Sequence, residues 1–184
     1  MTLYGELPYS VDLDGKTYPI RPEWPNVLVA IDAMSDEELT DAMQVETALG
    51  LLVVGPCPLS ARLLKAIFET LNPNPKPHKE KVMDFRQDWA LIYAGFRQAY
   101  GIDLFAEQDM HWMQFTALLQ GLPNNTMLSK VMEIRTMKVP AKASPEYRAR
   151  IAQLKAEYAL KTSTPVQSGL MALFKSLESI AERR

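Results

Sequence analysis

The side chains of this chain best suited to chemistry are His111, His78 and Cys57. A zinc-type centre asks for three or four His, Cys or acidic ligands at matched spacing. Here no His or Cys stands three or four residues from another, and Asp109, two residues before His111, would point away from it on a helix. A nucleophile needs a base beside it and an orienting group behind it. Cys57 lies between Pro56 and Pro58 with no signature around it, and the chain contains no GxSxG, Walker A or GxGxxG pattern. Glu37–Glu38 and the Asp84/Asp88 pair fall at expected helix starts, where the helix dipole accounts for acids. These observations point to no catalytic residue, no metal ligand set and no cofactor. The enzymatic alternative is a site drawn from Asp88, Tyr93 and His111. We expect His111, in the apolar run "DMHWMQFTALLQGLP" (residues 109–123), to sit beside Trp112 in or near a core, satisfied by a hydrogen bond.

The elements that would position these groups follow from periodicity. In "YSVDLDGKTYPI" the dipeptide Asp14-Gly15 predicts a type I′ hairpin, with Val11 and Leu13 before the turn and Tyr18 and Ile20 after it. Pro19 marks an edge strand. A short helix is expected over 26–34 with Pro25 in its first turn. "SDEEL" predicts a second helix with Ser35 as N-cap, Glu38 at the capping-box position and a stripe Leu39, Ala42, Met43, Leu49, Leu52, Val53. A third covers 59–71, with Leu64, Ile67, Phe68 and Leu71 on one face. The prolines and charges of "NPNPKPHKEK" form a loop. Asp84 is expected to cap a helix with the face Phe85, Trp89, Ile92, Phe96, Ala99, closed by Gly101. The 109–123 run makes a central helix. Thr126 caps the next, with the face Met127, Val131, Ile134, and Ser144-Pro145 opens one with the stripe Tyr147, Ile151, Leu154, Tyr158. A polar link leads to a last amphipathic helix carrying Leu170, Leu173, Phe174, Leu177 and Ile180.

The expected fold is therefore mainly α: a single domain of about seven to eight helices with a small N-terminal β-hairpin. Its sections are the hairpin (1–22), a first helical layer (23–71), a Pro-rich loop (72–82), central helices (83–160), and a linker with the C-terminal amphipathic helix (161–184). At 184 residues, with 47% hydrophobic and 23% charged residues, the chain has the material for a core. A net charge of −2 argues against a generic nucleic-acid binder. The basic stretch 138–161, with six basic and two acidic residues, offers only Tyr147 and Tyr158 for base stacking, both on the apolar stripe. Charge is unevenly spread: residues 1–60 hold ten acids and two bases (−8), and the remainder eighteen bases and twelve acids (+6). Such a split favours head-to-tail association, or simply two solvated faces. A single cysteine suits a reducing compartment. "MTLYGELPYS" has no signal-peptide character, and the longest apolar stretch, "ALGLLVVG", is too short to cross a bilayer. No membrane contact is expected.

With catalysis set aside, exposed aromatic and amphipathic faces become the working surfaces. Trp89, Tyr93, Tyr100, Trp112 and Phe115 cluster in sequence, and Tyr93 lies off the apolar stripe of its helix, which makes it the candidate partner anchor. The C-terminal stripe supplies Leu170, Phe174 and Leu177 as the second candidate, docked on its own domain or in a neighbour's groove.

The segments "LDGKTYPIRPEW", "FRQDWALIYAGFRQAYGIDL" and "MHWMQFTALLQGLPNNTMLSKVMEIRTMKVP" resemble the bacteriophage gene-product-fifteen family, in order, from about residue 14 to residue 160. The resemblance rests on Asp88, Ile92-Tyr93, Phe96 and Tyr100-Gly101-Ile102-Asp103-Leu104. It also rests on His111-Trp112, Phe115, Leu118-Leu119, Gly121-Leu122-Pro123 and "IRTMKVP". It implies a tail-region protein of siphophages and prophages, encoded between the major tail protein and the tape measure. Proteins from that position act as tail assembly chaperones. The implied partners are the tape-measure protein and the major tail protein, with self-association, and with neither nucleic acid nor membrane. The implied location is the host cytoplasm, or the virion tail if the protein is instead a structural part. No enzymatic activity and no residue role come with the resemblance.

Overall fold

The structure, a computed structural model, describes residues 6–73 and 82–161. Within them the chain forms two strands, β1 (Ser10–Leu13) and β2 (Lys16–Pro19). Seven helices follow: α1 (Trp24–Ala33), α2 (Asp41–Leu52), α3 (Ala61–Leu71), α4 (Trp89–Tyr100), α5 (Trp112–Gln120), α6 (Met127–Thr136) and α7 (Pro145–Glu157). The fold is mainly α with one N-terminal hairpin, as the periodicities require. The expected C-terminal helix lies outside the described residues.

The chain divides into two compact units: residues 6–73 with 108–116, and 82–107 with 117–161. Helix α5 contributes its first half to the former and its second half to the latter.

In the first unit the hairpin forms as its turn chemistry dictates. Asp14 (φ 50°) and Gly15 (φ 76°) both take positive φ, and the two-residue loop sets the register Val11↔Tyr18. That register buries Val11 and Tyr18 on one face, which a one-residue slip would turn outward. Pro19 has no N–H to offer, so its carbonyl makes the onward contact, accepting from Val54 N at 2.9 Å. A two-stranded ribbon is marginal alone; here β1 packs on α3. Helix α1 packs on α2 and α2 on α3, closing a core of Val27, Ala30, Val45, Leu49, Leu52, Leu63, Leu64 and Ile67. Three rings stack through this core: Trp24 on Phe115 (5.2 Å between centroids, 15°) and Phe115 on Trp112 (5.7 Å, 23°).

Helix α2 begins later than "SDEEL" suggests. Ser35 Oγ donates back to Ile31 O (3.0 Å), closing α1, and Asp36 Oδ1 accepts from Glu38 N (3.0 Å) in an Asx turn. Thr40 is the cap, its hydroxyl accepting from Met43 N. Starting there puts Val45, Ala48, Leu49 and Leu52 inward and leaves Ala42 and Met43 exposed, so the expected stripe holds only in its second half. Ser60, Thr126 and Ser144 cap α3, α6 and α7 in the same way, each accepting from the backbone N–H three residues on.

In the second unit α4 packs on α6 and α6 on α7 around Ile92, Phe96, Leu104, Leu122, Leu128, Val131 and Ile151. Asp84 does cap a turn, accepting from Arg86 N and Gln87 N (2.9 and 2.8 Å), yet α4 proper starts only at Trp89. Asp88 stands at its N-cap position with the side chain turned elsewhere. Phe85 and Trp89 are half-buried, so the buried face of α4 is narrower than the expected stripe. Gly101, in the left-handed region at φ 71°, ends the helix. In α7 only Ile151 is buried; Leu154 and Tyr158 are half-buried and Tyr147 is exposed.

Candidate functional site

His111 is 1% exposed and lies in the first unit. Its Nδ1 accepts from Met113 N at 3.0 Å, its Nε2 stands 3.0 Å from Pro8 O, and its backbone N–H donates to Gln114 Oε1 at 3.2 Å. An acceptor at Nδ1 places the proton on Nε2, which then donates to the Pro8 carbonyl. The result is a capping box in which histidine replaces the usual serine or threonine and Gln114 closes it from the N3 position. The flanking backbone is fixed as well: Trp24 N donates to Met110 O (3.0 Å) and Trp112 N to Pro22 O (2.7 Å). Both ring nitrogens are thus engaged by backbone. Tyr9 packs edge-on against the ring at 5.3 Å.

Asp88 lies in the second unit, 2% exposed, in a bidentate pair with Arg135: Nη1 to Oδ2 at 2.6 Å and Nη2 to Oδ1 at 2.8 Å. Asp88 Oδ2 also accepts from Asp84 N (2.9 Å). Arg135 donates further to Val82 O (Nη1, 2.9 Å) and Tyr158 O (Nε, 2.7 Å). One guanidinium therefore joins the entry to α4, the end of α6 and the end of α7. The fork geometry of arginine makes such a junction possible; a lysine could not hold it. Arg135 was not singled out by sequence reasoning, since its place at the end of an amphipathic helix reads as an ordinary dipole-matched cation.

Of the three groups of the enzymatic alternative, His111 caps a helix in one unit, Asp88 holds an arginine in the other, and Tyr93 packs on Phe105. Cys57 is half-buried, and His78 lies outside the described residues. Among the described residues no group of three or more His, Cys, Asp or Glu is placed to hold a metal ion. No described helix is long and apolar enough to cross a membrane.

The remaining candidate is a surface. Trp89 and Tyr93, one turn apart on α4, lie on the same side of the helix and are both half-buried. Gly101 reverses the chain, and Asp103 organises the return. Its carbonyl accepts from Ala106 N and Glu107 N (both 2.9 Å) and its Oδ1 from Phe105 N (3.1 Å). Leu104, fully buried, anchors this turn, and its neighbour Phe105 is carried outward, 66% exposed. The Phe105 ring lies 5.0 Å from Tyr93 at 50° and 6.3 Å from Trp89 at 80°. Three aromatic rings thus share a patch beside a hydrogen-bonded turn. The Tyr93 hydroxyl makes no hydrogen bond to any described residue. Rigid aromatics with a polar tip are what partner-binding hot spots are made of.

Tyr93 is half-buried beside Phe105. Of its sequence neighbours, Trp112 and Phe115 are core, and Tyr100 is tied down by its hydroxyl donating to Leu118 O at 2.8 Å. Leu170, Phe174 and Leu177 lie outside the described residues. Phe105 escaped sequence reasoning because it sits in an aperiodic turn, where no helical stripe marks a residue as in or out; the adjacent Gly101 and Asp103 were its only signal.

The model of the family described as "Bacteriophage Gp15 protein" matches residues 3–58 and 61–160. No curated protein and no solved structure matches the chain significantly.

Proposed function

The chain belongs to the bacteriophage Gp15 protein family, and from that premise we propose that it is a non-enzymatic tail assembly protein, a chaperone that binds the tape-measure protein in the host cytoplasm during tail morphogenesis. The observation that carries the reading is the Trp89–Tyr93–Phe105 patch, with Phe105 66% exposed on a turn anchored by buried Leu104. A tape measure is a long helical chain whose apolar stripes aggregate if left uncovered. A partner of that kind is recognised by apolar anchors that meet a helix face at intervals of a turn. Trp89 and Tyr93 have that spacing. Many copies along one tape measure would hold it by multivalency even where each contact is weak. The sequence stripe Leu170, Phe174, Leu177 would supply a second contact, and the major tail protein is the partner to which the coated tape measure is handed.

Co-expression with the neighbouring tape-measure gene tests this. The expected result is a soluble tape measure that co-purifies with this chain. Tyr93→Ala with Phe105→Ala should weaken the complex by about tenfold or more, as loss of aromatic anchors does. Deletion of residues 168–184 should reduce co-purification further. An insoluble tape measure in the presence of the wild-type chain would refute the reading.

A further inference from the structure

We propose that copies of this chain join head to tail, the cationic surface of α7 and its preceding connector in one copy seating on the acidic surface around α2 in the next. The charge asymmetry seen in the sequence persists when the two units are taken separately. Among the described residues the unit holding α1, α2 and α3 has twelve acids and four bases (−8). The unit holding α4, α6 and α7 has seven acids and ten bases (+3).

The surfaces concerned are open. Helix α7 is thirteen residues long and buries one of them, Ile151. Such a helix, polar nearly all round, is expected where it bridges to something else. It is held by Ile151, by the Ser144 cap and by Arg135 on Tyr158 O, and most of its other residues are exposed. Lys138, Lys142 and Arg150 are exposed, and none of them makes an ion pair with a described residue. On the other unit, Asp36, Glu38, Asp41 and Glu46 are exposed in the turn before α2 and on its outer side, likewise without a cationic partner among the described residues.

Like surface against like surface repels here, so the contact pairs the cationic surface of one copy with the acidic surface of another; made head to tail, such a heterologous contact propagates into a ring or a row. Charge complementarity of this kind fixes partner and register more than it adds affinity. The inference does not rest on tape-measure binding, and its test contains no tape-measure protein.

Sedimentation of the full chain at about 0.1 M and about 1 M salt, where screening shortens from about 10 Å to about 3 Å, reads the effect directly. Species larger than a monomer are expected at the lower salt and monomer at the higher. Two reversed variants make the decisive arm: Lys142→Glu with Arg150→Glu, and Glu38→Lys with Glu46→Lys. Each alone presents like charge on both surfaces and should be monomeric at the lower salt. Mixed in equal amounts they should assemble again, since each reversed surface then faces its complement. Circular dichroism reports whether each variant is folded. Should either unfold, Lys142→Gln with Arg150→Gln replaces them and is expected to weaken association by about threefold to tenfold. A wild-type chain monomeric at both salts overturns the proposal. So does a reversed variant that assembles like wild type, a folded pair that stays monomeric when mixed, or a neutral variant that associates unchanged. A monomeric wild-type chain retained by a duplex oligonucleotide through Arg150 would overturn it too, in favour of a nucleic-acid partner.

Discussion

At His111 a single side chain ties two pieces of backbone together, the first turn of α5 through Nδ1 and the N-terminal segment through Nε2 and Pro8, while the Gln114 side chain accepts from the His111 N–H. His111→Phe keeps the volume and the contact with Tyr9 but removes the cap. Removing an N-cap acceptor costs about 0.5–2 kcal/mol, and the Pro8 carbonyl is left without its donor besides. Chemical denaturation should show the loss while tape-measure binding persists; loss of binding in a folded variant would reinstate His111 as a working group. At Asp88 the cost should be larger. Arg135→Met leaves a 2%-exposed carboxylate without its guanidinium, and breaking a buried pair from one side costs about 3–5 kcal/mol. Urea midpoints of Arg135→Met and wild type measure this; equal midpoints would remove the junction from the account. Residue types alone cannot tell these roles from catalytic ones. His111 was legible as a core histidine because it stands in an apolar run with no second ligand nearby. That it caps a helix depends on Met113 and Gln114 having backbone geometry that only the fold supplies, and the Asp88–Arg135 pair joins positions 47 residues apart.

Among the elements, helix identity was readable and helix starts were less so. Asp14-Gly15 fixed the hairpin because two positive φ values in succession have few solutions, and Thr126 and Ser144 announced their helices because a hydroxyl before a periodic run has one dominant use. The starts of α2 and α4 fell five and four residues late for a common reason. In "SDEEL" and "DFRQDW" the acids and the serine satisfy local turns that compete with the helix cap, and packing of Val45 and Ile92 decides which wins. Gly101 is where element and candidate site meet. Ala at φ 71° is strained by about 1–2 kcal/mol. Gly101→Ala should therefore lower stability by that order and loosen the turn that presents Phe105, weakening partner binding beyond what its stability loss explains. Helix α7 carries a pH signature. Hydrogen bonds to its own backbone N–H and to Ser144 hold the Glu146 carboxyl below the usual glutamate range. A carboxyl depressed in the folded state lends stability that is complete above its unfolded value, about 4.3, and is lost as pH falls through the lower folded value. Glu146 is fully exposed, so the effect is small. Wild type should melt slightly above Glu146→Gln near neutrality, with the gap closing in acid; a gap that widens in acid would contradict the assignment.

For the whole molecule, the family match over residues 3–58 and 61–160 and the mainly α fold describe a phage protein. The sequence carried the resemblance in its aromatic and turn residues, and it carried the charge asymmetry. It did not show that the asymmetry follows two compact units, because the second unit is assembled from segments on either side of residues 108–116. Nor did it show the aromatic patch as a patch, since Phe105 reaches Tyr93 only through the Gly101 reversal. Both properties suit a protein that works by covering another: one surface for the partner, a different pair of surfaces for its own copies. The claim on which this rests is that the Trp89–Tyr93–Phe105 surface binds tape-measure protein, and the most direct measurement is the affinity of the purified chain for purified tape-measure segments, with and without Tyr93→Ala and Phe105→Ala. The account predicts binding by the wild-type chain that falls about tenfold or more in a doubly substituted chain of unchanged stability. Equal affinities for the two, or no binding by either, would contradict it.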